Sequence, residues 1–131
     1  MAHLLLIDDD QDFADALAVQ LRRAGHALTY AAGGDEGLEI LTEHNCGRHI
    51  DAVLVDMYMP KVDGIETIAA LRDAGVKIPV IAISGGGSAR FSSVLHWATV
   101  LGADASIAKP FVTDRLMMLV DAIGPCRNWQ H

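Results

Sequence analysis

The candidate functional side chains of this 131-residue chain stand directly after short apolar runs. They are a triplet of aspartates, a single aspartate, a serine and a lysine that precedes a proline: Asp8-Asp9-Asp10, Asp56, Ser84 and Lys109-Pro110. Carboxylates that share a site repel one another, so either one of them is protonated or a cation lies between them. Oxygen ligands of this kind favour a hard divalent ion such as Mg²⁺. Mg²⁺, a lysine and a hydroxyl can together stabilise a phosphoryl group in transfer, which a further carboxylate can accept as an aspartyl phosphate.

Five short, nearly continuous apolar runs predict the strands that position these side chains. They cover residues 4–7, 27–30, 52–55, 78–83 and 105–108, as expected of strands buried on both faces. Apolar residues at helical spacing, such as Phe13, Leu17 and Leu21, fill the segments between them. The alternation predicts an α/β fold with a five-stranded parallel sheet and helices on both faces. Ligands of such sheets bind beyond the carboxyl ends of the strands, where the polar side chains above would meet.

Local signals mark where the predicted helices begin and end. Asp10 or Asp12 is predicted to cap the first helix, although capping accounts for only one of the acids. Four glycines follow helical segments, at positions that favour a residue tolerant of positive φ: Gly25, Gly75, Gly102 and Gly124. An apolar stripe predicts a further helix between the fourth and fifth strands: Val94, Trp97, Ala98 and Leu101.

Length, composition and charge indicate a single acidic globular domain. A chain of 131 residues suits one domain, and a hydrophobic fraction of 51% excludes disorder. No stretch approaches the roughly 18 apolar residues that span a bilayer, and no basic region precedes the first apolar run. We therefore predict a cytoplasmic protein that binds no membrane. The net charge of −7 disfavours nucleic acid as a partner.

Taken together and in order, the motifs resemble those of response-regulator receiver domains of two-component signalling. They are residues 4–10 (LLLIDDD), 53–64 (VLVDMYMPKVDG), 81–84 (IAIS) and 109–111 (KPF). The resemblance implies a receiver domain over residues 1–124 with a short tail at 125–131. It also implies a flavodoxin-like (βα)5 fold, with the strand order 2-1-3-4-5 known for such domains.

The resemblance assigns the phosphoacceptor and the metal ligands. Asp56 would accept the phosphoryl group. Asp9 and Asp56 would bind Mg²⁺ together with the backbone carbonyl of Tyr58, and Asp8 would bind it mainly through water. The phosphoryl donor would be a phosphohistidine on a sensor histidine kinase or a histidine phosphotransfer protein.

The resemblance also assigns the groups that bind the phosphoryl group. Ser84 would be the switch hydroxyl that turns inward onto it, and Gly85 would leave open access to the pocket. Lys109 would pair with a phosphoryl oxygen, and the bond to Pro110 would be cis, a geometry found almost only before proline. We expect a stand-alone stoichiometric acceptor rather than a turnover enzyme. It would signal to an unidentified protein target as a monomer or weak dimer.

One position departs from the family pattern. Receivers usually carry Tyr or Phe three residues before the lysine, and that ring moves inward with the switch hydroxyl. The residue here is Ser106, so the aromatic half of the switch is missing. This favours the main alternative, a phosphorylation-independent receiver that acts as a constitutive interaction module or a phosphate sink.

Two other classes share parts of the pattern. Phosphatases of the haloacid-dehalogenase type also use a strand-end aspartate nucleophile, but they need a second aspartate two residues later, where this chain has Tyr58. Flavodoxins share the fold but need a hydroxyl- and glycine-rich phosphate loop after the first strand. The aspartates at 8–10 and 12 would repel a flavin phosphate there.

Overall fold

The computed structural model describes residues 1–43, 50–57, 64–85 and 102–123. Five strands form one parallel sheet in the order β2-β1-β3-β4-β5. Their bounds are β1 His3–Ile7, β2 Ala27–Ala31, β3 Ala52–Asp56, β4 Val80–Gly85 and β5 Ala105–Lys109. The predicted flavodoxin-like sheet and its strand order are confirmed.

Four helices lie within the described ranges. They are α1 Gln11–Arg23, α2 Gly34–Glu43, α3 Gly64–Asp73 and α4 Thr113–Ile123. The helix predicted from the stripe at 94–101 and the tail predicted at 125–131 fall outside the described residues. None of the four helices is long and apolar enough to cross a membrane.

The bounds of the fourth strand were predicted wrongly. The apolar run begins at Ile78, but β4 begins at Val80 and continues through Ser84 to Gly85. Pro79 has no N–H to donate to a neighbouring strand, which delays the start of regular pairing. At the other end, Ser84 pairs with Ala108 and extends the strand past the apolar residues. The serine therefore lies within the sheet, one residue before the end of β4.

Alternate residues of the central strands enter two separate cores. In β1, Leu5 and Ile7 pack in the core beneath α3, where Ile68 and Leu71 are buried. Leu4 and Leu6 pack in the opposite core, with α1 and α4. Both faces of the central strands are thus covered, which explains their continuous apolar sequence. The partly buried β2 and β5 lie at the edges of the sheet.

The predicted helix signals are confirmed where the structure describes them. Asp10 is the N-cap of α1, and its side chain accepts a hydrogen bond from the Phe13 N–H. The glycines after α1, after α3 and before β5 have φ values of 87°, 83° and 124°: Gly25, Gly75 and Gly102. These angles are strained for residues with a Cβ, which is why glycine occupies the turns. Gly124 lies outside the described residues.

Arg72 joins α3 to the segments that precede β4 and β5. Its guanidinium donates to the carbonyl oxygens of Val76, Ile78 and Gly102 at 2.7–3.2 Å. It also pairs with Asp104 at 3.1 Å, and the same carboxylate oxygen accepts the Val80 N–H at 2.8 Å. The planar fork of arginine suits such divergent acceptors. This network fixes the start of β4, and through it the register that places Ser84.

Candidate functional site

Four neighbouring strands bring the predicted site residues to the carboxyl edge of the sheet. Asp8 directly follows β1, Asp56 ends β3, Ser84 is the penultimate residue of β4 and Lys109 ends β5. The register holds these ends level, because Ile7 lies beside Val55, Asp56 beside Ile83 and Gly85 beside Lys109. The edge therefore collects carboxylates, a hydroxyl and an ammonium from distant parts of the chain.

Three carboxylates of this edge form a compact cluster. Asp8, Asp9 and Asp56 each place one oxygen within 4.8 Å of the others. Asp8 is 0% exposed and Asp56 is 7% exposed, whereas Asp9 is exposed to solvent. Burial and proximity both strengthen the repulsion between negative charges. The cluster therefore favours a bound cation, and Asp9 is its solvent-exposed member.

The donor chemistry of this cluster fits Mg²⁺. The three side chains offer only carboxylate oxygens, the ligands that hard divalent cations prefer. Two of them are held by buried positions beside β1 and β3, so they are already close before an ion arrives. The fourth predicted ligand, the carbonyl of Tyr58, lies outside the described residues.

Lys109 is ion-paired with the most buried of these acids. Its Nζ lies 3.0 Å from Oδ2 of Asp8, while Oδ1 of Asp8 accepts the backbone N–H of Asp10 at 2.9 Å. The lysine side chain is 23% exposed, so the pair is only partly open to solvent. The Lys109–Pro110 peptide bond is cis. A positive charge thus stands beside the carboxylates, where it can compensate negative charge on an incoming group.

Ser84 and Gly85 line the same edge from β4. The Ser84 side chain is buried, and its hydroxyl donates to the carbonyl oxygen of Ile107 at 3.3 Å. At this length the bond is weak, so the hydroxyl can exchange it for a stronger acceptor at little cost. Gly85 lies in register with Lys109 and adds no side chain above the site.

Ser106 lies in the middle of β5, in register with Ala82 of β4. Its side chain is exposed, on the side of the strand opposite to the buried neighbour Ile107. A serine at this place has no ring that could exchange between a buried and an exposed position. The serine that replaces the usual aromatic residue therefore lies on an exposed face of the edge strand β5.

Two residues at this edge were assigned no role in the site from the sequence, although Gly64 ends the motif at 53–64. Phe13 of α1 places its ring against the Lys109 ammonium, with 4.0 Å between Nζ and the ring centroid. Gly64 begins α3 against the backbone of Asp56 and Met57, where even a methyl group would clash. Phe13 was recognised only as part of the apolar stripe of its helix. Its position five residues after Asp8, in the first turn of α1, is the signal that could have found it.

The acidic edge also affects Tyr30, in β2. Burial raises the pKa of the Tyr30 phenol above its ordinary value of 10.0, and the negative charges of Asp8, Asp9, Asp10 and Glu36 raise it further. The folded protein therefore keeps the phenol proton at a pH where the unfolded chain has lost it. This contribution to stability is complete below about pH 10 and is lost as the pH rises through the folded pKa.

We expect Tyr30 to report this negative field in a spectroscopic titration. The chain has two tyrosines, so a Tyr58→Phe variant leaves Tyr30 alone. Its phenolate absorbance should rise with a midpoint above 10.0. Adding Asp9→Asn should lower the midpoint because one nearby charge is removed, whereas Asp73→Asn, at the end of α3, should leave it unchanged. A midpoint at or below 10.0 would contradict this account of the site.

Comparison with known proteins identifies the family. The family model of the response regulator receiver domain matches residues 4–121. The transcriptional regulatory protein CpxR of Escherichia coli K12 is 34% identical over 129 residues, which cover 98% of this chain and 52% of CpxR. The chain thus belongs to the response-regulator receiver domains of two-component systems. It spans about half the length of the transcriptional regulators that it matches.

Solved structures give the same assignment. The receiver domain of the Francisella response regulator 1452 matches with a TM-score of 0.76 and 27% identity, over 94% of this chain and 96% of that one. Full-length FixJ from B. japonicum matches with a TM-score of 0.79 and 29% identity, over 93% of this chain and 57% of that one. In both, the likeness extends over nearly all of this chain.

Proposed function

We propose that this domain is a phosphorylation switch in which Asp56 accepts a phosphoryl group from a phosphohistidine, with Mg²⁺ as cofactor. The observation that carries the proposal is the nearly buried Asp56 carboxylate, clustered with Asp8 and Asp9 beside the ammonium of Lys109. A carboxylate in such a cluster can act as a nucleophile once positive charge compensates its neighbours. The donor would be a sensor histidine kinase or a histidine phosphotransfer protein.

In this reaction an oxygen of Asp56 attacks phosphorus, and the bond from phosphorus to the histidine nitrogen breaks. Its electron pair returns to the imidazole, which then takes up a proton. Mg²⁺ held by Asp8, Asp9 and Asp56 would neutralise charge on the phosphoryl oxygens. Lys109 compensates the same charge from β5, and the Ser84 hydroxyl leaves its weak bond to Ile107 to donate to a phosphoryl oxygen.

The domain would act as a stoichiometric acceptor, since each chain carries one proposed phosphoacceptor, Asp56. Its output would be contact with another protein, because a net charge of −7 disfavours direct binding to nucleic acid. CpxR, a relative of about twice the length, is a transcriptional regulator. This supports a role in signalling.

A second candidate function is a phosphorylation-independent interaction module. The small, exposed Ser106 favours it, because it offers no ring to couple the site to the face of β5. In that case the acidic cluster would persist without switching anything. The two functions differ in whether Asp56 takes up phosphate and whether the face of β5 responds to it.

Intact mass after incubation with acetyl phosphate and Mg²⁺ tests the proposal. The wild type should gain one phosphoryl group, and the gain should vanish in Asp56→Asn or when Mg²⁺ is chelated. Asp73→Asn is the matched control, because it removes an exposed aspartate of α3. It should behave as the wild type.

The other results discriminate the two functions. A wild type that binds neither Mg²⁺ nor phosphate would contradict the proposal and favour the constitutive interaction module. If Asp56→Asn still gains a phosphoryl group, another residue must be the acceptor. If the wild type gains a phosphoryl group on Asp56 and the amide resonances of β5 do not change, the domain is a phosphate sink rather than a switch.

A further inference from the structure

The ammonium of Lys109 lies between a carboxylate and an aromatic ring. Oδ2 of Asp8 is 3.0 Å from Nζ, and the centroid of the Phe13 ring is 4.0 Å from it. A cation at this distance from a ring centroid is attracted by the negative face of the ring. Two residues far from Lys109 in sequence, Asp8 directly after β1 and Phe13 in α1, therefore both hold the end of the lysine side chain.

The ring of Phe13 is itself held in place. Phe111, two residues after Lys109, contacts it edge to face, with 5.7 Å between the centroids and 79° between the ring planes. Both rings also pack against the core beneath α1 and α4. Such a T-shaped pair is a favoured aromatic geometry and fixes the face that Phe13 presents to the ammonium.

We propose that Phe13 is a positioning residue for Lys109, keeping the ammonium at the acidic cluster for phosphoryl transfer to Asp56. The proposal rests on the function proposed above and extends it to a residue outside the acidic cluster. Phe13 touches no reacting atom; it acts through the lysine. Phe111 supports it by orienting the ring.

The chemistry of lysine explains why a positioning residue matters here. The side chain is a flexible four-carbon stem that ends in a point charge, and confining it costs conformational entropy. An open cavity of about 520 Å³ lies beside the lysine and is lined by Phe13, Leu17, Gln20 and Phe111. Truncating the ring would enlarge this space, and the ammonium would sample more positions away from Asp8.

The test compares aromatic and non-aromatic residues at position 13 in the full 131-residue chain. Phe13→Leu and Phe13→Met remove the π face but keep an apolar side chain, whereas Phe13→Tyr keeps both. Val19→Ala, on an exposed part of α1, controls for loss of apolar surface on the helix. We expect the rate of phosphorylation by acetyl phosphate to fall about two- to fivefold in the Leu and Met variants. It should return to the wild-type value in Phe13→Tyr.

A second readout needs no phosphorylation. In protein with ¹³C-labelled lysine, the ε-methylene protons of Lys109 should resonate upfield because of the ring current of Phe13. The signal is assigned with Lys109→Arg among the three lysines of the chain. The upfield shift should disappear in Phe13→Leu and persist in Phe13→Tyr and Val19→Ala. Apolar packing alone would not produce this pattern.

Three results would overturn the proposal. The first is an unshifted Lys109 signal in the wild type. The second is an unchanged phosphorylation rate in Phe13→Leu and Phe13→Met. The third is a rate in Phe13→Tyr as low as in those variants. If the wild type itself takes up no phosphoryl group, the function proposed above fails and the kinetic role of Phe13 fails with it. The lysine signal then still decides whether the ring holds the ammonium.

Discussion

The Lys109→Met variant should accept a phosphoryl group about 100- to 1,000-fold more slowly than the wild type. Methionine keeps most of the apolar stem but removes the charge that lies 3.0 Å from Asp8. Negative charge on the transferred group would then face the cluster of Asp8, Asp9 and Asp56 with one compensating charge fewer. The time course of phosphorylation by acetyl phosphate with Mg²⁺, followed by intact mass, measures the effect.

Lys77→Met is the matched control, because Lys77 is exposed in the segment between α3 and β4. It removes the same charge from the chain without touching the acidic edge, so its rate should equal that of the wild type. Equal rates for the two methionine variants would show that the lysine at the end of β5 takes no part in the transfer. If both variants were phosphorylated more slowly than the wild type to the same extent, the cause would instead be the changed net charge of the protein.

Gly64→Ala should lower the free energy of unfolding by about 2–3 kcal/mol. A Cβ at this position would lie 2.6 Å from the carbonyl oxygen of Asp56, 2.6 Å from Cα of Met57 and 2.8 Å from its sulfur. Two of these atoms are backbone, so relief requires α3 or the end of β3 to move. Chemical denaturation with a linear extrapolation measures the loss.

Gly33→Ala is the control for this substitution. A Cβ there would have no heavy atom within 4 Å. The Gly33 carbonyl accepts the first hydrogen bond of α2, from Gly37, and alanine is less favourable than glycine at such an N-cap, so this change should cost no more than about 1 kcal/mol. Because the clash at Gly64 involves Asp56 itself, Gly64→Ala should also slow phosphorylation in the population that remains folded. A Gly64→Ala protein as stable as Gly33→Ala would contradict the close approach of α3 to the end of β3.

The residues alone were sufficient to predict most of the framework. Runs such as residues 4–7 and 52–55 are apolar throughout because both faces of β1 and β3 are covered by helices. Such a signal is local, and so is a strand-end aspartate that follows it. The bounds of β4 were less predictable, because its start depends on Pro79 and its end on the pairing of Ser84 and Gly85 with β5, rather than on the apolar run itself.

The side-chain contacts within the site could not be predicted from the sequence. The binding of Lys109 to a phosphoryl oxygen stays a prediction, whereas its pairing with Asp8, 101 residues earlier in the chain, was not predicted. The inward turn of Ser84 also stays a prediction, and the bond of its hydroxyl to Ile107 of β5 was not predicted. Both contacts depend on distances between separate strands, which no local pattern encodes.

By itself, therefore, the sequence determined the strand–helix alternation, an aspartate cap on the first helix at Asp10 or Asp12 and the polar residues at the strand ends. These features follow from hydrophobic periodicity and local backbone preferences, which act over a few neighbouring residues. Only the tertiary structure decided that Phe13 faces the Lys109 ammonium and that α3 leaves no room for a side chain at position 64. Such contacts arise when helices pack on a finished sheet, because packing sets the distances between segments that are far apart in the chain.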